Sequence, residues 1–209
     1  MKYHRQQDGL TLIEMMIAIL IGLIIMASTI GIFITSIKAN SDTLKMTRLN
    51  QELQAVTTLM SRDLRRAGYW GTPATANAYA AETDTSIANC ILLAYDIGSD
   101  GAGGADDFVG YLWVDDGLGG SGDGGHIEMR VSTTDFDDCS GLDVDGWTEI
   151  TDSSVVLISN PPLFTSSSEA SASTTVTTVE LNVFGVLRED EDVSRRIIET
   201  VRLRNDIVN

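Results

Sequence analysis

The chain has 209 residues, of which 43% are hydrophobic and 21% are charged, and its formal net charge at pH 7 is −16. So acidic a chain is expected to repel nucleic acid, because DNA binding depends on Lys and Arg side chains that displace counterions from phosphates. The length leaves room for one membrane span and a single domain of about 140 residues.

The first predicted element is an apolar segment at residues 10–37, which follows a short basic leader at residues 1–9. No Asp, Glu, Lys, Arg or His occurs from Met15 to Ile37, and about 20 such residues cross a roughly 30 Å hydrocarbon layer as a helix. We therefore expect a transmembrane helix. Glu14 stands at its front, and a carboxylate in that position must reach the lipid head groups or find a partner charge, because its insertion costs free energy.

The residues around Gly9 resemble the type III signal of type IV pilins and pseudopilins. Gly9 is followed by LTLIE, which places a threonine second and a glutamate fifth after the glycine, in front of the apolar run. The resemblance implies that a prepilin peptidase cuts between Gly9 and Leu10 and that the new N-terminus at Leu10 is methylated. The family usually has phenylalanine at the position of Leu10.

Cleavage would also create a partner charge for Glu14. A helix rises about 1.5 Å per residue, so Glu14 lies roughly 6 Å from the new amine of Leu10 along the helix axis. A neighbouring subunit displaced by about that distance would place its own amine against the Glu14 carboxylate. Both charges would then be neutralised in an apolar environment, where an unpaired charge is costly.

Two other interpretations of this segment remain. An ordinary secretory signal has an apolar region of about 7 to 15 residues and an A-x-A-like site, and this chain has a longer run without such a site. A single-pass anchor of a binding module would keep its leader. Positive residues flank the span on both sides, so the positive-inside rule does not decide its orientation. The resemblance implies that the leader is inside.

The helical pattern continues through residues 38–71 as an amphipathic segment. Apolar residues recur at spacings of three and four on one face, at Leu49, Leu53, Val56, Met60 and Leu64. We predict one helix from Leu12 to Ala67, ended by Gly68. The sequence RDLRRAGYW at residues 62–70 resembles the corresponding helix end of PilW-type minor pilins of type IV pili. The J-type minor pseudopilins of type II secretion have a similar end.

Residues 72–209 are predicted to form a β-rich periplasmic head. The fold class is therefore α+β and pilin-like, with a long N-terminal helix, membrane-spanning in its first half, packed on an antiparallel sheet. We expect a solvated turn at Arg188–Ser194 that joins the last two strands as a hairpin, and a loop that enters a strand in the Ser/Thr tract from Thr165 to Thr178. The strand candidates are Ile91–Tyr95, Phe108–Val114, Ile127–Val131, Val155–Ile158, Val176–Leu187 and Ile197–Leu203.

Charge is distributed unevenly between the helix and the head. Residues 38–67 carry six basic and three acidic side chains, whereas residues 68–209 carry six basic and 25 acidic side chains. A basic helix segment is therefore followed by an acidic head, whose charge we attribute to solubility rather than to a specific cation function.

Cys90 and Cys139 are the two cysteines of the chain, and both follow the apolar segment. In an oxidising periplasm we expect a disulfide between them, which would close a loop of about 50 residues and stabilise the fold by roughly 4 kcal/mol on the chain-entropy model. The alternative is two buried free thiols. Two isolated cysteines without nearby histidines do not predict a metal site.

Residues 96–125 contain 11 of the 19 glycines together with seven aspartates. Oxygen ligands on such turns would suit Ca²⁺, but no glutamate stands at the twelfth position that an EF-hand requires. We expect surface loops there, and no cofactor.

No catalytic motif is present. His126 is the only histidine after residue 9, and the sequence GGSGD at residues 119–123 departs from the G-x-S-x-G nucleophile elbow. We therefore expect no enzymatic activity.

The resemblance implies a minor pilin that primes or caps type IV pilus assembly and supports adhesion or twitching. Its implied partners are the prepilin peptidase, other minor and major pilins, the inner-membrane assembly platform and membrane lipid, with no nucleic acid. Its implied location is the inner membrane with a periplasmic head, and the pilus tip after assembly. The alternatives are a J-type minor pseudopilin of type II secretion and a membrane-anchored binding module.

Overall fold

The computed structural model describes residues 11–72, 77, 79, 89–101, 107–117, 124–132, 146–159, 163–171, 174–203 and 207–208. The chain forms two compact units, Met1–Leu44 and Lys45–Asn209. The second unit contains the strands and the C-terminal part of the helix.

One helix, α1, runs from Leu12 to Leu64. Its 53 residues contain no proline, so nothing in the sequence interrupts its hydrogen bonds. The helix ends three residues before the predicted Ala67 and continues as a turn. Gly68 follows with a φ of 71°, a left-handed conformation that favours glycine after a helix. The predicted role of Gly68 as the helix-ending residue is thus confirmed.

Among the described residues, nine strands form one antiparallel sheet in the second unit. Its order is β1-β2-β3-β5-β7-β6, with β4 paired to β3, and with β8 and β9 paired to β7. The strands are β1 (Cys90–Ala94), β2 (Phe108–Asp115), β3 (Gly124–Ser132), β4 (Trp147–Glu149), β5 (Val156–Ser159), β6 (Phe164–Ala170), β7 (Thr174–Leu187), β8 (Asp190–Arg202) and β9 (Ile207–Val208).

The core of this unit lies between α1 and one face of the sheet. The predicted apolar stripe of the helix is buried, with Val56 3% exposed and the other four residues 0% exposed. Alternate residues of β7 meet it, because successive side chains of a strand point to opposite faces. Gly185 lets the helix approach closely, since a Cβ there would lie 2.8 Å from Leu53 Cδ2. The buried residues of β7 include Val179, Leu181 and Val183.

Two sequence predictions in the head are wrong in part. The Ser/Thr tract expected as a loop forms β6 and the start of β7, paired in register from Phe164↔Leu181 to Ala170↔Thr175. Its polar side chains are accommodated because β6 is exposed from Thr165 to Ala170, so no apolar alternation is needed. The turn expected at Arg188–Ser194 joins β7 and β8 as the predicted hairpin, but it is limited to Arg188 and Glu189. The acidic residues that follow belong to β8, where the sheet hydrogen bonds continue despite a register shift at Val186/Leu187.

The strand candidates are confirmed within a few residues, except that β8 begins seven residues before the predicted Ile197. The strands β4 and β9 were not predicted. Both are short, with three and two residues, which is too few to show an alternating pattern.

A small second cluster lies on the opposite face of the sheet. Cys90 is 1% exposed and packs there with Leu92 and Leu112 against Trp147. Cys90 is disulfide-bonded. Cys139 lies outside the described residues, so its pairing with Cys90 stays a prediction.

Candidate assembly site

Glu14 lies in the first turn of α1. The amides of Glu14 and Met15 donate to the carbonyl oxygen of Thr11, at 3.1 and 3.2 Å, so Thr11 is the residue that caps the helix. The Thr11 hydroxyl also lies 3.5 Å from Glu14 Oε2. A threonine cap followed three residues later by glutamate is the capping-box spacing, and a carboxylate in the first turn is favoured by the helix dipole.

This arrangement gives both residues a role that the sequence analysis did not assign. Thr11 and Glu14, the second and fifth residues after the predicted cut, define where the helix begins. The T-x-x-E spacing could have predicted this from the sequence. Gly9 and Leu10 lie outside the described residues, so the cleavage and methylation site stays a prediction.

The helix around this site is apolar on all sides. Large apolar side chains between Leu12 and Ile37 are 52–79% exposed, an area far beyond the apolar patches that monomeric soluble proteins show. Among the described residues, α1 is the one helix long and apolar enough to span a membrane. Its N-terminal part therefore requires lipid or neighbouring helices around it.

The other end of α1 is held by a buried carboxylate. Asp63 is 1% exposed and accepts a 2.6 Å hydrogen bond from the Tyr111 hydroxyl on β2. Arg62 Nε donates to the other oxygen at 3.2 Å, which raises the pKa of Arg62. Burial, together with the hydrogen bond to Asp63, raises the pKa of Tyr111. The hydroxyl therefore stays protonated and remains a donor to Asp63.

A second buried carboxylate fixes the segment after the helix. Asp96 is 0% exposed, and its oxygens accept hydrogen bonds from the amides of Gly71, Asp100 and Gly101 at 3.0, 3.2 and 2.8 Å. The Asp96 amide in turn donates to the Tyr69 carbonyl oxygen at 2.9 Å. Asp96 thereby joins the helix exit to the turn that follows β1.

A third carboxylate completes this junction. Asp107 is 2% exposed and accepts hydrogen bonds from the Tyr79 hydroxyl at 2.8 Å and the Ile97 amide at 3.0 Å.

Asp63 could have been found from the sequence, because it lies three residues after Met60 on the apolar face. Asp96 and Asp107 carry no such signal, since they lie in glycine-rich turns.

The buried Asp96 is expected to make the unfolding free energy of the protein sensitive to acid. Burial raises its pKa, but the hydrogen bonds from backbone amides outweigh burial and hold the pKa below its usual range. A depressed folded-state pKa contributes stability that is present above the unfolded pKa of about 3.9 and lost as the pH falls through the folded value. We expect Asp96→Asn to lower the unfolding free energy at pH 7 by about 3 kcal/mol and to flatten its acid dependence. Thermal unfolding from about pH 7 to about pH 2 measures both effects.

The exposed Asp192 on β8 provides the control for this measurement. Asp192→Asn removes the same charge without a buried partner, and should leave the unfolding temperature and its acid dependence nearly unchanged. An Asp96→Asn protein with the acid profile of the unsubstituted chain would contradict the assigned role.

Ion pairs connect the basic part of the helix to the acidic sheet within the second unit. Lys45 Nζ lies 3.0 Å from Asp190 Oδ2, and Arg65 Nη2 lies 2.7 Å from Glu199 Oε1. Both acidic partners are on β8. Basic side chains of the helix therefore pair with acidic side chains of the sheet within the second unit. Exposed pairs of this kind contribute only about 0–1 kcal/mol each.

Most carboxylates in the described part of the Asp/Gly-rich segment contact hydrogen-bond donors. Asp96 accepts backbone amides, Asp115 Oδ1 accepts the Gly117 amide at 2.9 Å, and Asp116 contacts His126 Nδ1. Among the described residues, no group of three His, Cys, Asp or Glu side chains is arranged to hold a metal ion.

Comparison with known proteins gives two family matches. Residues 42–203 match the family model described as prepilin peptidase-dependent protein B. Residues 4–30 match the prokaryotic N-terminal methylation motif. No curated protein and no solved structure matches the chain.

Proposed function

Because the chain belongs to the prepilin peptidase-dependent protein B family, we propose that it is a PilW-type minor pilin that primes or caps the assembly of a type IV pilus. The observation that carries the proposal is the N-terminal segment. A methylation motif covers residues 4–30, and within it a capped helix start presents Glu14 at the front of an exposed apolar helix.

The first step in this function is processing. The prepilin peptidase cuts between Gly9 and Leu10, and the amine of Leu10 is methylated. A methylated amine stays positively charged, so the mature chain carries a cation beside the first turn of α1. The exposed Glu14 carboxylate is the complementary anion.

The second step is assembly through this charge pair. Glu14 is four residues, or roughly 6 Å, from the new N-terminus along the helix axis. A neighbouring pilin shifted by that distance places its amine at the Glu14 carboxylate while the apolar surfaces of the two helices pack. The pair sets the axial offset, because any other offset leaves two charges unpaired among apolar side chains.

The partners and the location follow from these two steps. The apolar part of α1 holds the subunit in the inner membrane until it packs with other minor and major pilins at the assembly platform. The acidic head is then periplasmic, and at the pilus tip after assembly. An oxidising periplasm would also permit the Cys90–Cys139 disulfide.

A structural rather than catalytic role is supported by the state of His126. Its two ring nitrogens face Asp116 and Glu128, so neither is available as a general base for a nucleophile. We infer that the protein acts by assembly and not by catalysis.

Mass spectrometry of the N-terminal peptide tests the proposed function. In cells that contain the prepilin peptidase we expect a mature chain that begins with methylated Leu10, and in matched cells without the enzyme a chain that begins at Met1. A chain that keeps residues 1–9 in both cell types would refute processing and favour a membrane-anchored binding module.

A further inference from the structure

The head contains one histidine placed between two carboxylates. His126 on β3 contacts Asp116 Oδ1 through Nδ1, and its Nε2 lies 3.3 Å from Glu128 Oε1. The three side chains are mostly buried, with exposed fractions of 14% for His126, 11% for Asp116 and 22% for Glu128. Asp116 directly follows β2, so this cluster connects the end of β2 to the start of β3.

Both carboxylates can accept a hydrogen bond from the His126 ring only when the ring is protonated. A neutral imidazole has one N–H donor, whereas an imidazolium has two. With a carboxylate at each nitrogen of His126, loss of the proton leaves one carboxylate oxygen against a ring lone pair. Both groups are then largely removed from water, and an unsatisfied buried carboxylate is costly.

The surrounding charges favour the protonated state further. Glu149 on β4 stands opposite Glu128 in the register of the sheet, so a third carboxylate lies close to the ring. Asp116 Oδ2 is buried and has no hydrogen-bond partner among the described residues. The nearby cation on the same strand is Arg130, two residues beyond Glu128 on β3. Its partner in the register of β4 is the uncharged Trp147. Asp115, the last residue of β2, adds a further acidic group.

We propose that Asp116, His126 and Glu128 form a proton-operated latch that closes the β2–β3 hairpin while His126 is charged and loosens it when the proton is lost. Closure needs the contact of Asp116, just after β2, with His126 on β3, and Glu128 at the other ring nitrogen, while the ring is protonated. The latch is a property of the head and does not depend on processing or on filament assembly.

The direction of the pH dependence follows from the pKa of His126. Burial lowers this pKa, but the hydrogen bonds to Asp116 and Glu128 outweigh burial and raise it above the ordinary value of 6.5. A raised folded-state pKa contributes stability that is fully present below the unfolded pKa and lost as the pH rises through the folded pKa. The latch therefore opens as the pH rises through the raised folded-state pKa of His126.

The test uses the full chain in detergent micelles, with the imidazole of His126 followed by NMR and assigned by its absence in His126→Gln. We expect the ring to titrate above about 6.5, and Asp116→Asn and Glu128→Gln each to move the midpoint downward. The unfolding temperature of the unsubstituted chain should fall by about 3 °C or more between about pH 6 and about pH 9, with faster amide exchange in β2 and β3. The profile of His126→Gln should be flat by comparison.

Glu169→Gln on the exposed strand β6 is the matched control, because it removes one carboxylate far from the cluster in the sheet order. It should titrate and unfold like the unsubstituted chain. A His126 ring that titrates at or below its ordinary pKa, or identical pH profiles for His126→Gln and the unsubstituted chain, would overturn the latch. Since neither readout involves the N-terminus, the result is independent of whether residues 1–9 are removed.

Discussion

Replacing Asp63 by alanine is expected to lower the unfolding free energy of the protein by about 3 kcal/mol, a fall in unfolding temperature of roughly 6 to 12 °C for a chain of this size. The Tyr111 hydroxyl would lose the acceptor that it reaches at 2.6 Å, and would stay buried without a partner. The side chain of Asp63 is 99% removed from solvent, so water cannot easily replace it. Thermal unfolding of the full chain in detergent, followed by near-UV circular dichroism, measures the loss.

A double-mutant cycle separates this hydrogen bond from general packing. Tyr111→Phe alone removes one donor and leaves the buried carboxylate with its contacts to Arg62 and Tyr95. The double variant Asp63→Ala, Tyr111→Phe leaves neither group unsatisfied, so its loss should be clearly smaller than the sum of the two single losses. Strictly additive losses would show that the two groups do not interact, and would contradict the proposed anchoring of α1.

The second large effect is expected at Glu14. Glu14→Gln should leave membrane insertion intact, because the neutral amide enters a bilayer at least as easily as the carboxylate. Association between subunits should weaken by about two to four orders of magnitude, since removing one partner of a buried ion pair costs about 3 to 5 kcal/mol. Piliation in a complementation assay, together with crosslinking of membrane-embedded subunits, measures the effect.

Two variants control for charge and for capping in this experiment. Asp42→Asn removes one carboxylate from an exposed position of the same helix beyond the predicted span. Cells that carry this variant should show normal piliation. Glu14→Asp keeps the charge but shortens the side chain by one methylene group. Its piliation should therefore lie between that of Glu14→Gln and that of Asp42→Asn. Normal piliation by Glu14→Gln would rule out the charge pair while leaving the family assignment intact.

The second half of α1 was predictable because its signal is local. Five apolar residues at spacings of three and four, from Leu49 to Leu64, predicted the buried face, and all five are buried. The strands with alternating polarity, such as Val179, Leu181 and Val183, were predicted for the same reason. A periodic pattern of apolar residues specifies both the type of element and the face that it buries.

The polar strands were not predictable in this way. β6 has one buried residue, Phe164, and β8 begins with three acidic residues. Each forms because β7 already presents a row of backbone donors and acceptors to both of its sides, so the strand is specified by its neighbour. Hydrogen bonding along an exposed strand imposes no apolar pattern on the sequence.

The sequence by itself determined the apolar segment, the T-x-x-E start of the helix, the continuous helix to the head and the excess of acid in the head. These depend on residues within a few turns of one another. Only the tertiary structure showed that Asp96, Asp107 and Asp116 are structural. These three residues differ from the solvated carboxylates in hydrogen-bond donors that lie up to 28 residues away in the chain, because burial and hydrogen bonding are set by contacts between distant segments.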